Sequence, residues 1–384
     1  MRILIIGAKL QGIEAALLAK KAEYQVAVLD KDSEAPGAAL GNQFIQTDVF
    51  NEKPMLLAFQ QADVVLPAIE NVAALKKIVE YGRQTGTKVI FDENAYAISS
   101  SKKKSNQIFT QENLPLPKSY PDCGYPVILK PDGLSGSCHV SKAYSRKQVK
   151  QYLQKNHAQE TLIQEYLQGR SYSLEVIGDG ENYYFPQITE VVVDKTYDCK
   201  RIIAPAQITE SERRQMLHIG KTLAKRLKIQ GIFDIEVISS KGRLKLLEID
   251  ARIPSQTPLS VWHSSGINMM EVLVNLTFGR KKEAEKAVCP SRTQVCMYQQ
   301  IRAADGKIEV LGEHIMEDCQ RLRLIKNFFG AEEAVTDYQH GSKDFRAIVI
   351  TVGNNHIEAE RKFAKVIENI RQQPGLENWQ FKEG

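Results

Sequence analysis

The run Ile232–Pro258, IFDIEVISSKGRLKLLEIDARIPSQTP, constrains the fold more tightly than any other part of this 384-residue chain. Its first half alternates, setting Asp234 and Glu236 on one face of a strand with Ile232 and Ile238, and Phe233, Ile235 and Val237 on the other. Lys241-Gly242 marks a turn, and the returning run Leu244–Asp250 carries Glu248 and Asp250 on one face with Leu244 and Leu246. With a loop of about five residues, Asp234 is expected opposite Glu248, with Asp250 one step along the same face. Like charges opposed across a sheet repel, so three gathered carboxylates call for a cation between them, and hard divalent cations such as Mg2+ take oxygen ligands of this kind. Arg252 and Ser255-Gln256-Thr257 follow, donors that suit a phosphate or carboxylate beside the metal. A hairpin with a wet acidic face is the alternative that spacing leaves open.

The chain is too long for one ordinary core and fits two or three domains. A hydrophobic fraction of 43% and a charged fraction of 25% exclude a disordered or membrane-embedded chain. The net charge of +5 suits phosphate-bearing substrates, but basic residues are too dispersed for a nucleic-acid partner. Six cysteines form no C-x-x-C pair and no zinc-spaced cluster with histidine, which fits a reduced, cytoplasmic setting. The N-terminus enters an apolar strand without a signal peptide, and no apolar run approaches transmembrane length, so no membrane partner is expected.

Taken in order, Arg2–Gly7 reads as a buried strand, Ala8–Gly12 as a loop, Ile13–Lys21 as a helix and Gln25–Leu29 as a second strand ending at Asp30. This start is Rossmann-like, but Lys9 stands where a dinucleotide loop needs its middle glycine, which argues against a nicotinamide-dependent dehydrogenase. Lys9 or Gln11 can still contact a small polar substrate. Val64–Pro67 ends at Glu70, placed to bind an amine or to start a helix. Val89–Phe91 closes this first domain. A polar helix holding Lys102, Lys103 and Lys104 then runs to Glu112, followed by the extended Leu114–Pro117. Tyr125–Pro131 delivers Lys130 at a strand end, ahead of the small-residue run Asp132–Ser137, whose amides can wrap phosphate oxygens. A helix over 145–155, a strand pair over 188–205 bending at Tyr197–Lys200, and a capping box at Thr209 complete the middle of the chain. Ala347–Val352 and Ile357–Arg371 mark a strand and a helix near the C-terminus, a region that can complete the core or form a homodimer interface.

A lysine ahead of the Leu-Pro-Leu-Pro turn, YPVILKP with a glycine-rich flap, Glu165-Tyr166-Leu167-x-Gly169, and Asp234 followed by Glu248-x-Asp250-x-Arg252 together resemble the ATP-grasp ligases over roughly residues 95–285. The resemblance implies α/β and α+β architecture: a Rossmann-like N-terminal domain (1–93), a two-lobed ATP-grasp domain (94–285, flap lobe roughly 120–170) and a small C-terminal α/β region (286–384). It implies an ATP- and Mg2+-dependent enzyme that joins a carboxylic acid to an amine through an acyl phosphate. Carried over by position, it makes Lys102 (or the neighbouring Lys104) and Lys130 the nucleotide-binding lysines, and Ser135, Gly136 and Ser137 the phosphate flap. Gln164, Glu165, Tyr166 and Leu167 become the adenine-reading hinge, Asp234, Glu248 and Asp250 the metal ligands, and Arg252 the group steadying the acyl phosphate. Asp250 stands where many relatives have asparagine, and Ser171 where many have a ribose-binding glutamate, with Glu175 a substitute.

The segments IGAKLQGIEAA, ISSSKKKS, YSLEVIGDG, DKTYDC, EIDARIPSQTP and SSGIN resemble a narrower group, the ligases of pyrrolysine biosynthesis. That resemblance implies 3-methyl-D-ornithine or D-ornithine, L-lysine and ATP as small-molecule substrates. Glu70, Glu175, Asp198 and Glu236 are then plausible ammonium partners, and Ser173, Ser255 and Gln256 can orient carboxylates and amides. Another ATP-grasp amino-acid ligase, similar to the D-alanine ligases, is the alternative.

Overall fold

Two short apolar runs, β1 (Arg2–Ile6) and β2 (Gln25–Asp30), pair in parallel around α1 (Leu10–Lys21), as their continuous burial requires. With β3 (Gln43–Gln46), α2 (Glu52–Gln60), β4 (Val64–Pro67), α3 (Val72–Thr85) and β5 (Lys88–Val89) they form a parallel sheet in the order β3-β2-β1-β4-β5. This is a computed structural model, and it describes residues 1–133, 139–156 and 160–383. The order reverses at β1, so the carboxyl ends of β1 and β4 open a crevice of the kind that takes ligands. Gly7 lies in that crevice at φ +107°, where a Cβ would meet the Ala68 carbonyl oxygen at 2.4 Å, so only glycine fits. Helix α1 begins three residues earlier than expected, which moves Gln11 from a loop onto the helix and makes Lys9 its N-cap.

The polar helix expected over 94–112 is broken in two, α4 (Glu93–Ser99) and α5 (Lys102–Gln111). Asp92 and Ser101 cap them, accepting from the amides of Ala95 and Lys104, which is why the chain restarts just before the lysines. A three-stranded antiparallel sheet follows, β6 (Val127–Pro131), β7 (Ser141–Ala143) and β8 (Thr161–Glu165), in the order β7-β6-β8. Helix α6 (Arg146–Lys155) packs Val149 against Val127, Leu129 and Ala143 to give this lobe its own small core.

The large sheet starts with β9 (Ser171–Asp179), β10 (Tyr183–Tyr184), β11 (Ile188–Val193) and β12 (Cys199–Ala204). Helix α7 (Glu210–Leu227) opens on the expected capping box of Thr209 and Glu212. Then comes the acidic hairpin, β13 (Gln230–Ser240) and β14 (Arg243–Asp250). Its register differs from the expected one. Lys241 (φ +53°) and Gly242 (φ +73°) make a two-residue turn that pairs Ser240 with Arg243, and an irregularity between Glu236 and Val237 shifts the far end. Asp234 therefore faces Asp250, and Glu236 faces Glu248, in place of Asp234 opposite Glu248.

Helices α8 (Thr257–Ser265), α9 (Met269–Thr277) and α10 (Lys281–Ala287) lead to β15 (Val295–Ala304), β16 (Lys307–Val310), β17 (Arg323–Lys326), β18 (Glu333–Thr336), β19 (Phe345–Gly353), α11 (His356–Arg371) and β20 (Gln380–Glu383). The C-terminal residues add to the large sheet, whose main path runs β14-β13-β9-β11-β12-β15-β19-β18-β17. β12 pairs with β15, Ile202 opposite Tyr298, so the region completes the core. Behind this junction, Glu333 of β18 meets Lys21 of α1 at 2.8 Å and His263 of α8 at 2.7 Å, and the Lys21 ammonium lies 4.0 Å from the centre of the Trp262 ring. Although burial favours the neutral acid, His263 and Lys21 hold the Glu333 carboxyl down at about 2. Among the described residues no helix is long and apolar enough to cross a membrane.

Candidate functional site

The hairpin register and its neighbour β9 set acidic side chains in rows. Glu175 pairs with Asp234 and Asp234 with Asp250; one step along, Ser173 pairs with Glu236 and Glu236 with Glu248. All lie on one face, since alternate residues of each strand share it. Burial raises Asp234 well above the usual carboxylate range, with Asp250 and Glu236 adding repulsion. Burial, joined by Glu248, lifts Glu236 to about 7, and burial lifts Glu175 to about 7. Asp250 is raised to about 6 by burial, against the pull of Arg252. Glu248 goes the other way: burial opposes its charge, but Lys130 and Lys102 outweigh it and lower the carboxyl.

Two cations hold this face together. The Arg252 guanidinium reaches Asp250 at 2.8 Å and Glu70 at 2.9 Å, and the Lys102 ammonium lies 3.6 Å from Glu248. Glu70 also accepts from Gln11 at 2.8 Å, and its carbonyl accepts from the Tyr96 hydroxyl at 2.9 Å. Among the described residues no three acidic, histidine or cysteine side chains converge into a ready-made metal cage. The donor set nonetheless fits a hard cation. All its atoms are carboxylate oxygens, Asp234 Oδ1 is buried with no hydrogen-bond partner among the described residues, and Mg2+ commonly takes one or two carboxylates and completes its shell with phosphate and water.

The acidic face of the hairpin borders two cavities, since Glu236, Leu247 and Glu248 line both. A slot of about 230 Å3 is lined by Ile128, Lys130, Val140, the hinge from Gln164 to Gly169, Ser171, Ile238 and Leu247. It ends at Lys102, Glu236 and Glu248. Its polar edge is oriented by a relay of amides. Asn106 Nδ2 donates to the Lys102 carbonyl at 2.8 Å, leaving its Oδ1 to accept from Gln164 Nε2 at 3.2 Å. Gln164 Oε1 is thereby left as a buried acceptor with no partner among the described residues. The Tyr166 amide donates to the Pro126 carbonyl and the Glu165 side chain accepts from the Lys118 amide, while the Lys142 ammonium sits 3.4 Å from the Tyr166 ring centre. Lys104 points elsewhere, donating to the Ala97 carbonyl, so of the two alternatives the geometry brings only Lys102 to the acidic face. The flap residues Ser135, Gly136 and Ser137 lie outside the described residues.

The second cavity, about 990 Å3, runs from the same Glu236, Glu248 and Lys102 into the crevice of the first sheet. Lys9, Gln11, Glu70, Ser173, Asp198, Arg252, Ser255 and Gln256 line it. Lys9 is exposed at its mouth, 3.8 Å from Glu317. Glu175 is absent from this lining and wholly buried behind it. Asp198 is engaged by the His314 ring and accepts from the His314 amide at 3.1 Å, and a Cβ on Gly312 would collide with its carboxylate. The lining includes residues that sequence reasoning did not single out. Glu313, in a 3-10 turn over Glu313–Met316, accepts from Ser255 at 2.7 Å and from Gln256 at 2.5 Å. Burial raises its carboxyl, against those two donors. No motif flags Glu313; only its position beside the Ser255-Gln256 run reveals it.

Comparison with known proteins agrees with this arrangement. Residues 99–256, from just ahead of Lys102 through Arg252 to Gln256, match the ATP-grasp domain family. The chain is 35% identical over 316 residues to the 3-methyl-D-ornithine–L-lysine ligase of Methanosarcina acetivorans, covering 82% of this chain and 83% of that protein. In fold it is similar to an L-amino acid ligase from Bacillus licheniformis, with a TM-score of 0.69 at 17% identity over 96% of this chain and 97% of that one. It is likewise similar to an ADP complex of N5-carboxyaminoimidazole ribonucleotide synthetase, with a TM-score of 0.69 at 15% identity over 97% of each chain. The chain belongs to the family of the 3-methyl-D-ornithine–L-lysine ligases, within the ATP-grasp enzymes, and is an ATP-dependent carboxylate–amine ligase.

Proposed function

We propose that this enzyme joins the carboxylate of 3-methyl-D-ornithine, or of D-ornithine, to the ε-amine of L-lysine, using ATP with Mg2+. One observation carries the reading: an apolar slot with an amide-edged hinge meets a large acid-lined cavity at a shared wall of Lys102, Glu236 and Glu248. An adenine ring suits the slot, with a 6-amino group facing the Gln164 acceptor and the hinge backbone. Lys102 and Lys130 at its inner end suit the phosphates.

Asp234, Glu248 and Asp250, with Glu236 beside them, are the residues to hold Mg2+, which when bound neutralises charge on the transferring phosphate. A substrate carboxylate oxygen attacks the γ-phosphorus from the large cavity and ADP leaves. Lys130 and Lys102 position the phosphates, and Arg252 directs its guanidinium at the acyl phosphate. The lysine ε-amine, neutral when it attacks, adds to the acyl carbon. The oxyanion that forms is stabilised by Arg252, the C–O bond to phosphate breaks, and the amine's proton passes to the departing phosphate or to water. Glu70 and Glu313 stand in the cavity as seats for substrate ammonium groups.

The experiment is ADP release with a panel of amino acids. Turnover with D-ornithine plus L-lysine supports the reading, and turnover with alanine alone sinks it in favour of a D-alanine-ligase-like activity. A rise in melting temperature with ATP and not with NADH separates both from a dehydrogenase.

A further inference from the structure

Gln256 is the N-cap of α8, and it is unusual in two ways. It is a non-glycine residue at φ +72°, ψ −49°, and its side chain makes no capping bond. The buried carboxamide instead donates to Glu313 at 2.5 Å. The cap comes from elsewhere. Glu14, 1% exposed in the middle of α1, accepts from the Leu259 amide at 2.9 Å, with Tyr298 beside its carboxyl group. Burial raises the Glu14 acid to about 8, and its acceptor oxygen at the helix N-terminus satisfies an amide that the helix cannot. Capping from a distant helix leaves Gln256 free to turn toward the cavity. Glu313 is held from its other side as well, since Asp198 accepts from the amide of the next residue, His314.

We propose that Glu14 is a positioning residue for amino-acid binding: by capping α8 from the N-terminal domain it holds Gln256 in the left-handed conformation that presents Glu313 to the substrate cavity. The proposal rests on the reading of Glu313 as an ammonium seat. It assigns a task to a buried acid that touches neither nucleotide slot nor acidic hairpin, and it links the first sheet to substrate affinity without a contact to substrate.

The test measures kcat and the KM of ATP and of each amino acid for Glu14→Gln, Glu14→Met, Gln256→Gly and Glu313→Gln. Glu14→Gln keeps an acceptor of the same shape and should stay within about threefold of the parent in every constant. Glu14→Met removes the acceptor with little change of volume and should raise the KM of one amino acid about tenfold while the KM of ATP stays within about twofold. Gln256→Gly accepts the positive φ without strain but lacks the carboxamide, so it should raise the same KM even where Glu14→Met fails to fold. The double variant Glu14→Met/Glu313→Gln should be no worse in that KM than Glu313→Gln alone. An unchanged amino-acid KM in Glu14→Met or in Gln256→Gly, equal losses in every constant, or simple additivity overturns the proposal. If Glu313→Gln itself leaves both amino-acid KM values unchanged, the seat reading has failed; if it raises one and Glu14→Met does not, only the role of Glu14 has failed.

Discussion

The two cavities flanking the acidic hairpin are built on different plans. The slot proposed for the nucleotide takes its walls from short stretches, Ile128–Pro131 and Gln164–Ser171, that pair through β6 and β8, plus Glu236, Ile238, Leu247 and Glu248 of the hairpin. Its lining mixes Ile128, Val140, Leu167, Ile238 and Leu247 with the hinge backbone and one oriented amide, Gln164. The cavity proposed for the amino acids gathers side chains from the first sheet, the helices that carry Tyr96 and Lys102, the β11–β12 turn with Asp198, the hairpin, the loop after it and a turn beyond residue 310. It is filled with charge, and burial raises the carboxyls of Asp234, Asp250 and Glu313 above their ordinary range. A local seat suits a cosubstrate shared across a family, whereas a seat assembled from many regions of the chain can change its specificity one loop at a time.

That contrast can be broken at the wall the cavities share. Glu248→Gln removes the acid that Lys102 and Lys130 keep ionised, and should cut kcat by about 10³-fold or more, read as ADP release, with the fold intact by circular dichroism. Wild-type turnover in that variant would remove the hairpin from the mechanism. Arg252→Ala comes next. Losing the bridge between Asp250 and Glu70 should lower kcat/KM by about 10²-fold while ATP still raises the melting temperature. Glu313→Gln sharpens the comparison most directly: about a tenfold rise in one amino-acid KM, with the KM of ATP unchanged, separates the two seats.

The remaining contrast concerns stability. Glu333→Gln leaves Lys21 without its buried counter-charge and should cost about 3 kcal/mol, measured by denaturant unfolding. Because the folded carboxyl is depressed to about 2, its contribution is present above the unfolded pKa of about 4.3 and is lost as pH falls from there toward 2. The gap in melting temperature between parent and variant should close over that window. At the exposed Arg83–Glu93 pair, Arg83→Ala should shift stability by less than about 0.5 kcal/mol, and a larger change would show that surface pairs matter here more than the buried strut.

The strands that alternate or run short and apolar between turns were legible in the chain, as were the capping box at Thr209 and the series of lysine, hinge and carboxylates. The hairpin register was not. A two-residue turn of left-handed residues and a compensating irregularity are conformational choices that the alternation of side chains leaves open. Strand β15, buried on nearly every residue, offers no alternation to read, so the sequence left open whether the C-terminal region completes the core or forms a dimer interface, and the pairing of β15 with β12 and β19 shows it continuing the main sheet. Lys102 and Lys104 differ in task because Ser101 caps α5 and sets its phase, turning Lys102 to Glu248 and Lys104 to the Ala97 carbonyl.

By itself the amino-acid sequence determined the acidic hairpin and the lysine-bearing strand as local elements, because their patterns are periodic, and their gathering with the hinge into one site was what the resemblance to the ATP-grasp ligases implied. Only the tertiary structure decided which carboxylates face each other, that Glu70 and Asp250 share Arg252, and that Glu14 and Glu313 meet around Gln256. Glu14 and Leu259 are separated by most of the chain, and no local preference encodes their contact. It exists because packing α1 against α8 buries an acid where a helix end needs an acceptor.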